Sequence, residues 1–382
     1  MSDDLSSLRD ESFKDPIDQL KQLLSQSGQS FLLGAGCSCC ANLPLTVELT
    51  DQVLKNKKLS SNTKNILEFL DHKYNKPDSD ESSISTIEDY MSDLIDLLSI
   101  SQRRSDCIGA DCNVKLDKEY PSEDVRKALQ EIKNAIANCI NKDVEISTHR
   151  NFVRTVHGMS QSGKPVNSPA INYFILNYDT LIEDSLALER VPYVDGFSGG
   201  ATGWWDSNYF DKKGVDAQVF KVHGSIDWCL LEDDVLPRRI RSSITSITHD
   251  ERVMIWPAAT KYRETQRDPY AQMISRMRDI LRPSESEAIL TICGYRFGDS
   301  HINLELDRAL RESEQRLTIV AFTSDNEPKG QLEEWIKDPR VQDQVRVYAN
   351  RGFFHGDETI KSESDLPWWK FETFTRLLGG ER

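Results

Sequence analysis

The stretch FLLGAGCSCCANLP, residues 31–44, decides how the rest of the chain is read. Ser30-Phe31-Leu32-Leu33 has the composition of a buried strand, and it runs straight into Gly34-Ala35-Gly36. A glycine-rich turn directly after a strand is where an α/β fold brings backbone N–H groups up to a phosphate. The dinucleotide fingerprint, however, needs a third glycine or alanine three residues after the second, and Cys39 stands there. No GK[ST] follows either, so the turn is not a Walker loop. Taken alone, these glycines suit a tight structural turn as well as a ligand.

Outward from this strand, short apolar runs rich in β-formers recur at INYFIL (171–176), VFKV (219–222), VMIW (253–256), AILTIC (288–293), LTIVAF (317–322) and RVYA (346–349). Helical patterns separate several of them, and this alternation predicts an α/β domain with a mainly parallel sheet. Residues 61–145 differ. ILEFL (66–70) is helical, and Ser85-Thr86-Ile87-Glu88 reads as a capping box opening a second helix. Ile87, Met91, Leu94, Ile95 and Leu98 share one face of it. A third helix carries Val125, Leu129, Ile132, Ile136 and Cys139, and the joining segments YNKPDSDESS and SQRRSDCIGADCN read as polar, mobile loops. The expected organisation is an N-terminal helical arm (1–28), an α/β domain (29–60 and 146–330) interrupted by a helical module (61–145), and a C-terminal strand and aromatic helix (331–382). That last helix, within PWWKFETFTRLL (367–378), either docks on its own core or offers a contact to a subunit or partner.

Composition narrows the function. With 47 Lys and Arg against 62 Asp and Glu, the formal net charge is −15, which disfavours direct nucleic-acid binding. No apolar run is long enough to span a membrane, and the acidic start MSDDLSSLRDESF does not resemble a signal peptide. A cytoplasmic chain with reduced cysteines is expected. Of the eight cysteines only Cys37 and Cys40 have CxxC spacing, and no second pair matches them, so no metal site is expected.

Four strand ends carry residues with chemistry. Gly34-Ala35-Gly36 is the first. Asn177-Tyr178-Asp179 follows the second strand, where Asn177 can hold ribose hydroxyls or a water, or where Asn177 or Asp179 can simply cap the next helix. His223-Gly224 follows the third, and an imidazole there is a candidate general base or a structural histidine. The fourth is ICGYRFGDSHIN (292–303), with Gly294 in the turn and Asp299 able to serve as an N-cap.

In this order, GAG-x-S, the LP of 43–44, NYD and HG resemble the sirtuin superfamily across about residues 30–310. FILNYDTLIED with GYRFGDSHIN is similar to the divergent sirtuin-like domains of prokaryotic anti-phage systems, among them the subunit that assembles with a HerA-type hexameric ATPase. The resemblance implies a Rossmann-like domain with a helical insertion that takes NAD as its substrate and hydrolyses it, depleting the cell of NAD in abortive infection. It also implies a homo-oligomer with the ATPase as partner. Gly34, Ala35, Gly36 and Ser38 match the pyrophosphate loop of that family. Asn177 matches its ribose-binding asparagine, Asp179 the acidic residue of the same motif, His223 the catalytic histidine and Gly294 the late glycine on the adenosine side. The Asp-Phe-Arg motif of the protein deacetylases is missing, since Pro44 is followed by LTVELT, and so are their four zinc cysteines. The other activities left open are a protein deacylase or ADP-ribosyl transferase, and a non-catalytic sensor of NAD or ADP-ribose.

Overall fold

The computed structural model of the protein describes residues 5–74, 85–109, 111–161, 169–200, 202–231, 234–240, 251–254 and 268–381. Nine strands form the central sheet: β1 (Gln29–Leu33), β2 (Ile171–Ile175), β3 (Tyr193–Val194), β4 (Ala217–Lys221), β5 (Ala288–Cys293), β6 (Leu317–Thr323), β7 (Val345–Ala349), β8 (Gly352–His355) and β9 (Glu358–Lys361). Their spatial order is β9-β8-β7-β6-β5-β1-β2-β4-β3. Pairing is parallel from β7 through to β3, and β8 and β9 alone run antiparallel. The expected α/β fold with a mainly parallel, Rossmann-like sheet is therefore present. The chain starts in the middle at β1, builds one side with β2, β3 and β4, then crosses to build the other with β5, β6 and β7. The reversal falls between β1 and β5, and in such a sheet the crevice opens at the carboxyl ends of the strands flanking that point.

The central strands were legible because both of their faces are covered. Every residue of β1 and of β5 is buried, as expected of parallel strands with helices on both sides. The helices are α1 (Lys14–Leu24), α2 (Thr46–Leu54), α3 (Ser61–Tyr74), α4 (Ile87–Ile108), α5 (Ser122–Ile140), α6 (Ser147–Gln161), α7 (Leu181–Leu188), α8 (Tyr270–Leu281), α9 (Ser300–Glu312), α10 (Gln331–Lys337) and α11 (Phe371–Leu378). Leu32, Phe174, Phe220 and Ile292 of one sheet face pack with α8, α9 and α10 through Met273, Met277, Leu306 and Trp335. Phe31, Leu33, Tyr173 and Ile289 of the other face pack with α1, α6, α7 and α11 through Leu20, Phe152, Leu186 and Phe374. The alternation of neighbours such as Phe31 and Leu32 between the two cores is the period of two of a strand.

Helices α2 to α5 enclose a third core, which includes Val53, Ile66, Met91, Leu94, Val125, Ile132 and Ile136. Residues of the α/β body, among them Ala41, Leu43, Tyr178 and Leu181, belong to this core as well. The aromatic tail docks on its own protein: Trp368, Phe371 and Phe374 are buried in the core shared with α6, and Trp368 Nε1 donates to the carbonyl of Ala349 at 2.8 Å.

Several expectations need correction. The segment 101–113 is not a loop over most of its length, because α4 continues to Ile108 and ends only at Gly109, which is left-handed at φ 71°. Buried Ser101 sits between Ser122 and the Cys112 carbonyl, which holds this turn of helix in place. The capping box of α4 is shifted by one residue: Thr86 is the N-cap, and Asp89 accepts from its backbone N–H at 2.7 Å. Glu88 is engaged elsewhere, accepting from the Tyr178 hydroxyl at 3.1 Å. The strand expected at 253–256 is Glu251–Met254, and it lies in a separate antiparallel sheet with 224–230, 238–240, 202–205 and 197–199. Residues 255–256, and 75–83 of the loop expected after α3, lie outside the described residues. Among the described residues no helix is long and apolar enough to cross a membrane.

Candidate active site at the carboxyl edge of the sheet

The turn after β1 packs on the turn after β5, and that packing explains the glycines. A Cβ on Gly34 would sit 2.5 Å from the Gly294 carbonyl oxygen, and one on Gly36 would sit 2.8 Å from Gly294 Cα. Gly294 is itself left-handed at φ 63°, with Cys37 N only 2.4 Å from where its Cβ would be. Three glycines thus let the two loops that flank the reversal touch backbone to backbone. This contact also uses up main-chain donors. The N–H of Gly34 donates to Cys293 O at 2.9 Å, that of Gly36 to Gly294 O at 3.0 Å and that of Cys37 to Gly34 O at 2.9 Å. Residues Ala35–Ala41 form a 3-10 helix directly after the turn.

The thiols of this turn are packing groups. Cys37 is buried, and burial pushes its thiol well up from the ordinary cysteine value. Burial likewise pushes Cys40 up to about 12. Neither environment favours the thiolate that nucleophilic or zinc chemistry needs.

The loop after β2 is tied to the same turn. Asn177 Nδ2 donates to Gly34 O at 3.0 Å and to Ser38 Oγ at 2.7 Å. Ser38 Oγ in turn donates to Asp179 Oδ2 at 2.7 Å, within buried surroundings. The other oxygen of Asp179 accepts from the Leu181 N–H at 3.1 Å. Asp179 therefore ties Ser38 to the turn that leads into α7, whose N-cap is Thr180, so neither Asn177 nor Asp179 is the N-cap that the sequence allowed. Below it, Lys221 at the end of β4 donates to the Asp179 carbonyl and pairs with Glu183 at 3.7 Å, both side chains being buried. The Ile226 N–H donates to Tyr178 O at 2.9 Å. Lys221 and Glu183 were not picked out from the sequence, where they read as ordinary surface charges.

His223 occupies the kink where the chain leaves the central sheet for the antiparallel one. β4 ends at Lys221, the next strand starts at Gly224, and Gly224 supplies φ 86° for the change of direction. The imidazole is buried, and its Nε2 lies 3.3 Å from Nε2 of His301, with either ring able to donate. His301 stands in the first turn of α9, after Asp299 at the N-cap position, where the Asp299 side chain makes no capping bond. The Asp299 main chain is held instead by Tyr295, whose hydroxyl accepts from the Asp299 N–H at 3.1 Å. His301 was missed because a polar residue in a helical first turn reads as solvent-facing.

β4 lies two strands from β1, roughly 10 Å across the sheet, and three from β5, roughly 14 Å. The contact between His223 and His301 therefore bridges above the carboxyl ends of β1 and β2, where Gly34 and Asn177 lie. Gly34, Gly36, Ser38, Asn177, Asp179 and Gly294 are linked by successive contacts, and His223 follows the end of β4 at the same edge of the sheet. Beneath this edge, His149 of α6 is buried, and burial lowers it to about 4, against the opposing pull of Asp179.

A cleft of about 820 Å³ opens at the opposite edge of the sheet, lined by Gly28, Ala170, Asn172 and Ala288 with Arg278 and Arg282. It is the less suitable site. Its arginines are committed to Glu305 and Glu312 at 2.6 Å each, and it lies at the amino ends of the strands, away from the crevice that such sheets use.

Residues 172–343 match the family described as a SIR2-like domain. The match spans 343 − 172 + 1 = 172 of the 382 residues, a little under half of the chain. It takes in Asn177, Asp179, His223, Gly294 and His301 and leaves out the turn at 34–38 and the helical module. No curated protein matches the chain. A SIR2-like domain suggests NAD-related activity in general.

Proposed function

We propose that the protein is an NAD glycohydrolase, cleaving NAD to nicotinamide and ADP-ribose, and that it acts by depleting NAD in anti-phage defence. The observation that carries this reading is the tie of Asn177 to the 34–38 turn, through Gly34 O and Ser38 Oγ, with His223 following β4 at the same carboxyl edge of the sheet. The SIR2-like match over the loops after β2, β4 and β5 supports the choice of NAD.

In the reaction water attacks ribose C1′, the C1′–N bond breaks with its electron pair going to nicotinamide, and one proton is released. Nicotinamide carries a formal positive charge in NAD and leaves neutral, so the ribose is the part that needs help. Gly34, Ala35, Gly36 and Ser38, with Gly294, form the floor against which the dinucleotide lies. Because the amides of Gly34, Gly36 and Cys37 already donate within the protein, diphosphate anchoring falls chiefly to the Ala35 N–H. Both N–H groups of the Asn177 amide are engaged, which leaves its carbonyl oxygen to meet a ribose hydroxyl or the attacking water. Asp179 acts through Ser38 and Asn177, holding them in register. His223 accepts the proton from water or from a ribose hydroxyl, a role worth about 10²–10⁴-fold in rate. Binding energy from the remote diphosphate orients C1′ over these groups.

We further propose that the chain works as a homo-oligomer with a HerA-type ATPase, and that its activity is regulated, since unregulated NAD loss is toxic. The test is to incubate the purified protein with NAD, alone and with the ATPase, and to quantify nicotinamide and ADP-ribose. Equal amounts of the two products are expected, and their loss in both Asn177→Ala and His223→Ala. Product formation at the parent rate by both variants would sink the site.

A further inference from the structure

We propose that His223, Asp299 and His301 form a binding site for a divalent transition metal of the zinc class, and that filling it switches off the reaction proposed above. The second half rests on the NAD-hydrolase reading, whereas the metal site itself does not. One donor atom from each residue, two imidazole nitrogens and a carboxylate oxygen, lies within 4.8 Å of the other two. His223 Nε2 and His301 Nε2 are 3.3 Å apart. Zinc–nitrogen bonds of about 2.0–2.1 Å at tetrahedral angles place two ligand atoms about 3.3–3.4 Å apart, so the two rings already stand at a coordination edge. The Asp299 carboxylate lies within 4.8 Å of both donor nitrogens, and its main chain is pinned by Tyr295.

The donor set selects the ion. Two imidazoles and one carboxylate suit zinc and its transition-metal neighbours, while calcium and magnesium prefer oxygen throughout. Three protein ligands leave a fourth position for water, unlike the four-ligand closure of a structural zinc site. The ligands come from two elements far apart in the chain, His223 from the end of β4 and the others from the start of α9. A bound ion would therefore tie β4 to α9. It would also occupy the Nε2 lone pair of His223. A histidine coordinated through that nitrogen cannot take a proton there, so metal binding and base catalysis at Nε2 exclude each other.

Cobalt(II) serves as a visible stand-in for zinc. The full-length protein, freed of metal, is expected to bind one equivalent of Co²⁺, giving the intense visible absorption of a tetrahedral site with imidazole ligands, and Zn²⁺ is expected to displace it. Asp299→Ala and His301→Ala, checked for folding by circular dichroism, are each expected to weaken binding at least tenfold. In the cleavage assay Zn²⁺ should silence the parent protein. It should be at least tenfold less effective on His301→Ala, each protein being normalised to its own metal-free rate. Absence of the cobalt spectrum, or an equal spectrum from the double variant Asp299→Ala/His301→Ala, overturns the metal site. A cobalt spectrum with zinc-insensitive cleavage overturns the switch and leaves the hydrolase reading standing. If no preparation cleaves NAD, the hydrolase reading falls and the switch with it, while the cobalt result still decides the metal site.

Discussion

The two walls of the crevice are built on different plans. On the β1–β2 side, Asn177, Ser38 and Asp179 form a continuous chain of hydrogen bonds that ends at the Leu181 N–H. On the β4–β5 side, His223 and His301 meet tip to tip across a gap bridged by no main-chain ladder. The first wall is rigid and has already spent most of its polar groups on itself, so its contribution is position. The second keeps titratable nitrogens at the edge, so its contribution is chemistry. Residues that look alike in sequence, short polar runs after a strand, have thus been assigned opposite tasks by their surroundings.

The strongest way to break this comparison is to remove one member of each wall. His223→Ala should cut NAD cleavage by about 10²–10⁴-fold while lowering the melting temperature less than Ser38→Ala does. Ser38→Ala strips a buried partner from both Asn177 and Asp179 and should cost about 1–3 kcal/mol of stability, measured by urea unfolding. The reverse pattern would show that the histidine wall is structural and the serine wall reactive.

Gly294→Ala tests the seam beneath both walls. A left-handed alanine costs about 1–2 kcal/mol, and the clash with Cys37 N adds an overpacking penalty of about 1–3 kcal/mol. A loss of about 2–5 kcal/mol is expected in chemical denaturation, with cleavage lost in whatever fraction still folds.

The rigid wall also carries a pH signature. Burial lowers His149 from 6.5 to about 4. Above pH 6.5 the imidazole is neutral in both folded and unfolded chains. As the pH falls from there toward 4, the unfolded chain takes up a proton that the folded protein refuses, and stability is lost, by up to about 3 kcal/mol. Urea midpoints followed across this range should fall for the parent and flatten in His149→Gln. The smallest effect is expected at Tyr178→Phe, which removes the hydroxyl that donates to Glu88 across the junction with the helical module. About 1 kcal/mol should be lost, and an unfolding transition that splits in two would show that this bond couples module and body.

The parallel core could be read from the chain because its strands are unbroken apolar runs: AILTIC, the segment 288–293, became β5 without a residue's change. The strand ends could be read for the same reason, since whatever polar residue follows such a run must lie at the carboxyl edge. The antiparallel sheet could not. Its strands at 197–199 and 202–205 are short and contain Gly199 and Gly203, and Trp204 faces solvent while Trp205 is buried, so no apolar run marks them. The glycines of 34–36 answer a second demand that was not legible. Their pattern suggests a ligand, and contact with the Gly294-Tyr295 turn requires them as well, a packing requirement between segments some 260 residues apart that leaves no local signal. His301 and Lys221 were hidden likewise, their roles resting on neighbours brought together only by the crossover.

Cleavage of NAD by the parent protein and by His223→Ala, each assayed with the ATPase partner and without it, tests the central claim most directly. Nicotinamide and ADP-ribose should appear in equal amounts from the parent in at least one of the two conditions, and at a rate about 10²–10⁴-fold lower from the variant. Equal product from parent and variant, or none from the parent in either condition, would contradict the assignment of the crevice.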